Sequence, residues 1–268
     1  MAESPLIESR HKLGRAQEHL KRLDEEIATF LESKPYLLLR EYDAKQSRYL
    51  FRIRHQRPLP AAHWALMIGD CVHNARTALD YIAWRLAGAD LADRNTMWPI
   101  FETAVGFRAR GLDRLWKLHH EAVAEIAMLQ PYNRPNPQTD FFWVLQNLDA
   151  RDKHKLLTLS YMFNDSGMIE TELPPGMKPT HGAFSSDGRA DHDAIIATIQ
   201  LPVPAGSADP QVHVNTKLTF DVAFERGIIA SDQIFPVRDA LKAILRAVND
   251  VIERFDSLVA SHPYWISL

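Results

Sequence analysis

The sequence has a single cysteine, no long apolar run and no strong excess of either charge. One cysteine, Cys71, excludes an internal disulfide framework and a zinc site built from several cysteines. No apolar run approaches the roughly 18 residues that a membrane-spanning helix needs, and charged residues replace the apolar core of a signal peptide. A formal net charge of -3 provides no overall attraction to nucleic acid or to an anionic membrane. We therefore expect a soluble, cytoplasmic protein with no membrane partner.

Apolar residues recur at helical spacing along much of the first half of the chain. Residues 4–33 carry this pattern among many charges, and residues 60–88 carry it with Pro60 at the start and Gly88 at the end. Residues 107–130 are expected to supply one or two shorter helices.

Two further helices are predicted in the second half. Thr139 is expected to cap a long helix that ends near Phe163, and Ser231 or Asp232 to cap the last helix of the chain.

Strand signals lie near the beginning of the chain and again in its second half. Two β-prone runs around a short polar turn predict a hairpin over residues 36–55. Residues 194–203 and 215–224 are the clearest later strands. In the last of these, the residues predicted to point inward are Leu218, Phe220, Val222 and Phe224.

These patterns predict an α+β fold, a helical bundle with an antiparallel sheet formed by the N-terminal hairpin and strands from the C-terminal half. The helical part is expected over about 1–163 and 232–262, and the β-rich part over about 36–55 and 166–226. We predict one domain, 1–268, because the last helix must return to cover the bundle and the breaker run PYNRPNP is too short for a domain linker.

The stretch GDCVHNARTALDYIAW, residues 69–84, carries an unusual polar side. On a helical wheel its apolar residues share one side, and the other side has short polar or aromatic groups with no Lys or Glu. Such a surface is typical of an internal hydrogen-bonding face, whose groups need partners because burying them unpaired is costly. Its members are Asp70, His73, Asn74, Thr77, Asp80, Tyr81 and Trp84.

The helix after Thr139 repeats this arrangement. Asn147 and Arg151 are four residues apart and Arg151 and His154 are three apart, so these side chains can converge on a helix. If the two helices pack antiparallel, Arg151 should pair with Asp70 or Asp80. The predicted polar pocket then contains Asp70, His73, Asp80, Arg151 and His154.

These segments carry a resemblance to known proteins. GDCVHNARTALDYIAW, followed by LQPYN and LQNLDARDKHKLL, resembles a group of uncharacterised bacterial proteins with H-N-x-R-[ST]-A-L-D and N-x-x-x-x-D-K-H-[RK] segments. The chain departs from them at Tyr81, where those proteins usually have His. The resemblance implies a bacterial protein and no particular activity.

A more distant resemblance is to HEPN-type ribonucleases, which are metal-independent RNA-cleaving helical bundles marked by an Arg followed by His. Here Arg76 lacks a His at the matching position, and Arg151 to His154 is shorter than the usual R-x4-6-H spacing. This analogy implies RNA as a partner.

Three functional interpretations remain open. In the first, the polar residues form a structural network in a binding or scaffold protein, with a homodimer through the amphipathic terminal helices as one option. In the second, His73 and His154 exchange protons with RNA while Arg151 stabilises the phosphorane charge, and Asp70, Asn74, Asp80 and Asn147 bind around them.

The third interpretation is a metal-binding hydrolase. Asp70, His73, Asp80 and His154 are acceptable ligands, but no H-x3-H or H-E-x2-H spacing supports a metal site. The motifs predict no cofactor. Solvent access distinguishes the interpretations, because an active site must open to solvent whereas a structural network should be closed.

Overall fold

The helices form where apolar residues recur every three or four positions. The computed structural model describes residues 4–88, 90–163, 168–172, 181–185, 188–210, 213–217, 219–225, 227 and 235–266. In chain order its helices are α1 (Ile7–Glu32), α2 (Ala61–Ala87), α3 (Ala104–Gly106), α4 (His120–Met128), α5 (Phe141–Asp152) and α6 (Val237–Ser261). Short 3-10 turns connect several of them, and a 3-10 turn at Pro263–Ile266 follows α6.

Helix α2 is the central element of the bundle, and it contacts α1, α5 and α6. It begins after Pro60 and ends at Gly88, whose φ of 80° is readily adopted only by glycine. Its apolar side, which includes Cys71, Val72 and Leu79, is fully buried. Both the span and the buried side of this helix were predictable from the sequence.

The strands follow from runs with alternating burial. They are β1 (Tyr36–Asp43), β2 (Arg48–His55), β3 (Leu159–Phe163), β4 (Met168–Glu172), β5 (His181–Phe184), β6 (Ile195–Gln200), β7 (His213–Lys217) and β8 (Phe220–Phe224). A four-stranded antiparallel sheet has the order β1-β2-β6-β5, and β3-β8 and β4-β7 form two separate antiparallel pairs. The α+β class, with the N-terminal hairpin joined to later strands, is thereby confirmed.

The fourth predicted helix was too long. Helix α5 ends at Asp152, and the chain then enters β3. Leu157, Leu159, Tyr161 and Phe163 are buried in alternation with more exposed residues, which is the period of a strand and not of a helix. The helical part therefore does not extend to residue 163.

Other boundaries also differ from the predictions. The N-cap of α5 is Asp140, whose carboxylate accepts a hydrogen bond from the backbone N–H of Phe142 at 2.9 Å, and not Thr139. The predicted strand 215–224 is divided, since residues 215–217 belong to β7 and residues 220–224 to β8, which lie in different pairs. Phe220, Val222 and Phe224 are buried as expected. Leu218 and the expected caps Ser231 and Asp232 lie outside the described residues.

Two clusters of buried apolar side chains make up the core. One joins the helices, and the other lies against the four-stranded sheet. Phe30, Leu31 and Leu59 pack against both. The division into domains is not tested by this packing, so the single domain stays a prediction. Within the described residues, no helix is both long enough and apolar enough to cross a membrane.

Candidate functional site

The seam between α2 and α5 brings the two distinctive sequence segments into contact. Gly69 lies against Asp152, the ring of His73 against Asp149, and the guanidinium of Arg76 against Gln146. Rising residue numbers on α2 match falling numbers on α5, so the two helices pack antiparallel, as expected. We call this contact the seam, and its two ends differ in exposure.

The closed end of the seam consists of Arg76, Asp80, Trp98 and Gln146. Arg76 is only 7% exposed at its side chain. Its guanidinium donates to Asp80 Oδ1 at 2.7 Å, to the Trp98 carbonyl at 2.6 Å and to Gln146 Oε1 at 3.2 Å. Asp80 Oδ1 also accepts the Trp98 backbone N–H at 2.9 Å. A buried guanidinium with this many partners is well compensated for the loss of water.

Burial acts against the charge of Asp80 at this end. It raises the pKa of the Asp80 carboxyl, although Arg76 and the Trp98 N–H favour the ionised form. Removal of either partner would therefore increase the cost of keeping this carboxylate charged.

The open end consists of Asp70, His73, Asp149, Asp152 and Lys153. His73 Nδ1 lies 3.2 Å from Asp149 Oδ1, and Lys153 Nζ donates to Asp149 Oδ2 at 2.6 Å. The Asp149 side chain is 3% exposed, whereas that of His73 is 59% exposed. Burial raises the pKa of Asp152, and the charges of Asp149 and Asp70 raise it further.

Gly69 allows this close approach. A Cβ atom at this position would lie 2.4 Å from both carboxylate oxygens of Asp152, closer than real Cβ contacts occur. The absent side chain thus makes room for the last residue of α5. Glycine normally weakens a helix interior, so its presence here has a packing reason.

Several predicted site residues are not brought together. Arg151 donates to the Gly227 carbonyl, so its expected pairing with Asp70 or Asp80 is wrong. His154 is exposed, and its side chain makes no hydrogen bond or ion pair with any described residue. The physical reason is that α5 ends at Asp152, so the helical spacing that predicted convergence does not continue to His154.

The remaining predicted binding residues have mostly local contacts. Asn74 donates to the Asp70 carbonyl at 2.8 Å and Asn147 to the Trp143 carbonyl at 3.4 Å, each within its own helix. Asp70 Oδ2 lies 4.0 Å from His19 Nδ1 of α1. Among the predicted residues, His73 hydrogen-bonds Asp149 across the seam and Asp80 hydrogen-bonds Trp98 in the loop after α2.

Five residues that line the seam are not among the predicted site residues. They are Arg76, Gln146, Asp149, Asp152 and Lys153. One signal was available, since Arg76–Asp80 and Asp149–Lys153 are opposite charges at i,i+4 spacing. On the helical wheel Arg76 lies beside apolar positions, but this position alone does not show that another segment covers the side chain.

The chemistry of the open end is that of an oriented imidazole. A buried carboxylate beside Nδ1 holds the ring, and no described residue hydrogen-bonds Nε2. Such a ring can accept or donate a proton at Nε2. In the described part of the chain, no group of three or more His, Cys, Asp or Glu side chains is placed to hold a metal ion.

The comparisons with known proteins do not decide the function. No protein-family model, curated protein or solved structure matches the chain significantly. The functional argument therefore depends on the geometry of the molecule.

Proposed function

We propose that the protein is a binding or scaffold protein in which the seam between α2 and α5 is structural. The observation that carries the proposal is the closed end, where the nearly buried Arg76 hydrogen-bonds Asp80, Trp98 and Gln146. A polar network in which the buried guanidinium is fully paired fixes the position of two helices relative to each other. The cytoplasmic location expected from the sequence is part of this proposal.

A homodimer through the terminal helices is not included. The apolar residues of α1 and α6, among them Leu23, Ile27, Val248 and Phe255, are buried within a single chain. Docking a second copy through these faces would require the bundle to open.

The second candidate is a metal-independent ribonuclease, and the open end favours it. His73 is exposed and its Nδ1 faces the buried Asp149, as a general acid or base requires. Lys153 also contacts Asp149 and is the cation nearest in these contacts. Arg151 instead donates to the Gly227 carbonyl, and His154 makes no described contact with the His73 ring.

The two candidates are separated by one substitution and a matched control. His73→Gln removes the proton-transfer group while keeping a hydrogen-bonding side chain, and His154→Gln makes the same change at an exposed position without a described partner. Wild type and both variants are incubated with mixed RNA in EDTA, and their free energies of unfolding are measured in urea.

If the protein is a binding or scaffold protein, we expect none of the three to cleave RNA. The free energy of unfolding should fall by about 1 kcal/mol in His73→Gln, because the buried Asp149 carboxylate loses a partner that can carry a positive charge. It should hardly change in His154→Gln. Cleavage in EDTA that falls by about 100-fold or more in His73→Gln but not in His154→Gln would overturn the proposal in favour of the ribonuclease.

A further inference from the structure

Two arginines next to the closed end share one aromatic ring. The guanidinium carbons of Arg110 and Arg114 lie 5.5 and 5.6 Å from the centroid of the Phe101 ring. A guanidinium that lies over a ring keeps N–H groups that can donate hydrogen bonds to another partner. Neither arginine makes an ion pair with a described carboxylate. We call these two residues the arginine pair.

The backbone under this ring is shaped to hold it. After α3, the chain forms one turn of π-helix at Phe107–Gly111 and a 3-10 turn at Leu112–Arg114. A Cβ atom at Gly111 would lie 3.1 Å from Phe101 and 2.8 Å from Phe107, and one at Gly106 would lie 3.2 Å from Phe101. The two glycines therefore let the Phe101 ring lie directly against the backbone, where it contacts both guanidinium groups.

The charges in this region are unbalanced. Burial lowers the pKa of Arg114, as do the positive charges of Arg76 and Arg110, and Asp80 opposes this change. Asp80 is already hydrogen-bonded to Arg76. Of the charges that act on Arg114, those of Arg76 and Arg110 are positive, and the negative charge of Asp80 is already paired with Arg76. The carboxylates of Glu102 and Asp113, from the same stretch, are exposed and make no described ion pair with the arginine pair.

Such crowding is costly without a counterion. The positive charge of Arg110 lowers the pKa of Arg114, so the two guanidinium groups repel each other. An external anion would relieve the repulsion. Guanidinium groups match phosphate oxygens in a two-pronged geometry, and a phosphate monoester carries close to two negative charges at neutral pH.

We propose that Arg110 and Arg114 bind a phosphate monoester on the Phe101 side of the closed end. The two guanidinium charges of the pair favour a monoester over a carboxylate or a phosphodiester, each of which carries one negative charge. This site deepens the proposed binding function, since it names a ligand class for it. Binding at this site breaks no bond in the ligand, so it does not depend on whether the open end of the seam is catalytic.

The test measures binding by calorimetry at low salt. The probes are AMP, inorganic phosphate, adenosine and ApA, a dinucleoside monophosphate with one diester charge. We expect AMP or inorganic phosphate to bind wild type, adenosine not to bind, and ApA to bind at least about tenfold more weakly than the monoester. Equal binding of AMP and inorganic phosphate indicates a site for the phosphate group alone, whereas tighter binding of AMP indicates an organic phosphate.

The matched control is Arg108, an exposed arginine of the same π-helical turn that makes no ion pair with any described residue. Arg114→Gln should weaken monoester binding at least about tenfold and Arg110→Gln/Arg114→Gln should abolish it, whereas Arg108→Gln should change it less than about twofold. Unfolding temperatures are measured too, because loss of an arginine with a purely structural role would lower them. Removal of the Arg114 charge should leave the unfolding temperature unchanged or raised, because repulsion is lost.

Three results would overturn the proposal. They are no binding of AMP or phosphate to wild type, equal weakening by Arg108→Gln and Arg114→Gln, and ApA binding as tightly as AMP. RNA cleavage in EDTA that depends on His73 would instead overturn the proposed function and leave the phosphate site intact. The two failures are therefore distinguishable.

Discussion

The closed and open ends of the seam join the same two helices with similar polar groups, yet they differ in exposure. At the closed end, Trp98 from the loop after α2 covers Arg76 and Asp80 and supplies both a donor and an acceptor. At the open end, α5 stops at Asp152, and His73 remains exposed. The exposure of a polar pair between two helices therefore depends on the third element that covers it, since that element decides how much water is excluded.

The largest effect is expected at the closed end. Arg76→Leu should lower the free energy of unfolding by about 3 kcal/mol, because in a mostly buried site Asp80 loses its counterion and the Trp98 carbonyl loses its donor. Urea denaturation monitored by tryptophan fluorescence measures it. Arg151→Leu makes the same change on α5, where the described side-chain hydrogen bond is to one carbonyl, and should cost less than about 1 kcal/mol. Equal losses would remove the distinction between the two arginines.

A smaller effect is expected where α5 ends against α2. Gly69→Ala should destabilise the protein by about 1 kcal/mol, because the new methyl group displaces the Asp152 carboxylate and this cost exceeds the gain in helix propensity. In an Asp152→Ala background the same change should stabilise by about 0.5–1 kcal/mol. If Gly69→Ala has the same effect in both backgrounds, the proposed contact does not limit this position.

The smallest effect is expected at Cys71, which lies on α2 between Gly69 and His73 but on the buried side. Burial raises the pKa of its thiol to about 12. Iodoacetamide should therefore label native wild type very slowly at pH 8, and Arg76→Leu should increase labelling through global unfolding by about 100-fold. Rapid labelling of native wild type would mean that α2 opens without unfolding.

The same thiol gives a pH dependence. The folded-state pKa lies above the unfolded value of 9.0, so the neutral thiol favours the folded state and its contribution is fully present below pH 9.0. The contribution is lost as the pH rises from 9.0 towards about 12. Cys71→Ala should remove this part of the alkaline loss of stability, which urea denaturation at pH 8 and pH 10 measures. An unchanged difference between the two pH values would contradict it.

The sequence predicted elements whose signals are local. The hairpin over residues 36–55 follows from two β-prone runs around a polar turn, and α2 follows from its apolar spacing between Pro60 and Gly88. The predicted end of α5 was wrong because the apolar residues after residue 152 are spaced in a way that fits a helix nearly as well as a strand. Pairing of β3 with β8, more than fifty residues later in the chain, decides between them.

The candidate site was predictable only in part. The sequence by itself determined that residues 69–84 form a helix with one apolar and one polar side and that a second helix can face it, because these properties depend on neighbours within a few turns. Tertiary structure alone decided that Arg76 is buried, that Asp149 rather than Arg151 meets His73, and that Trp98 closes one end. These outcomes depend on distant segments that exclude water and supply hydrogen-bond partners, and local spacing carries no information about them.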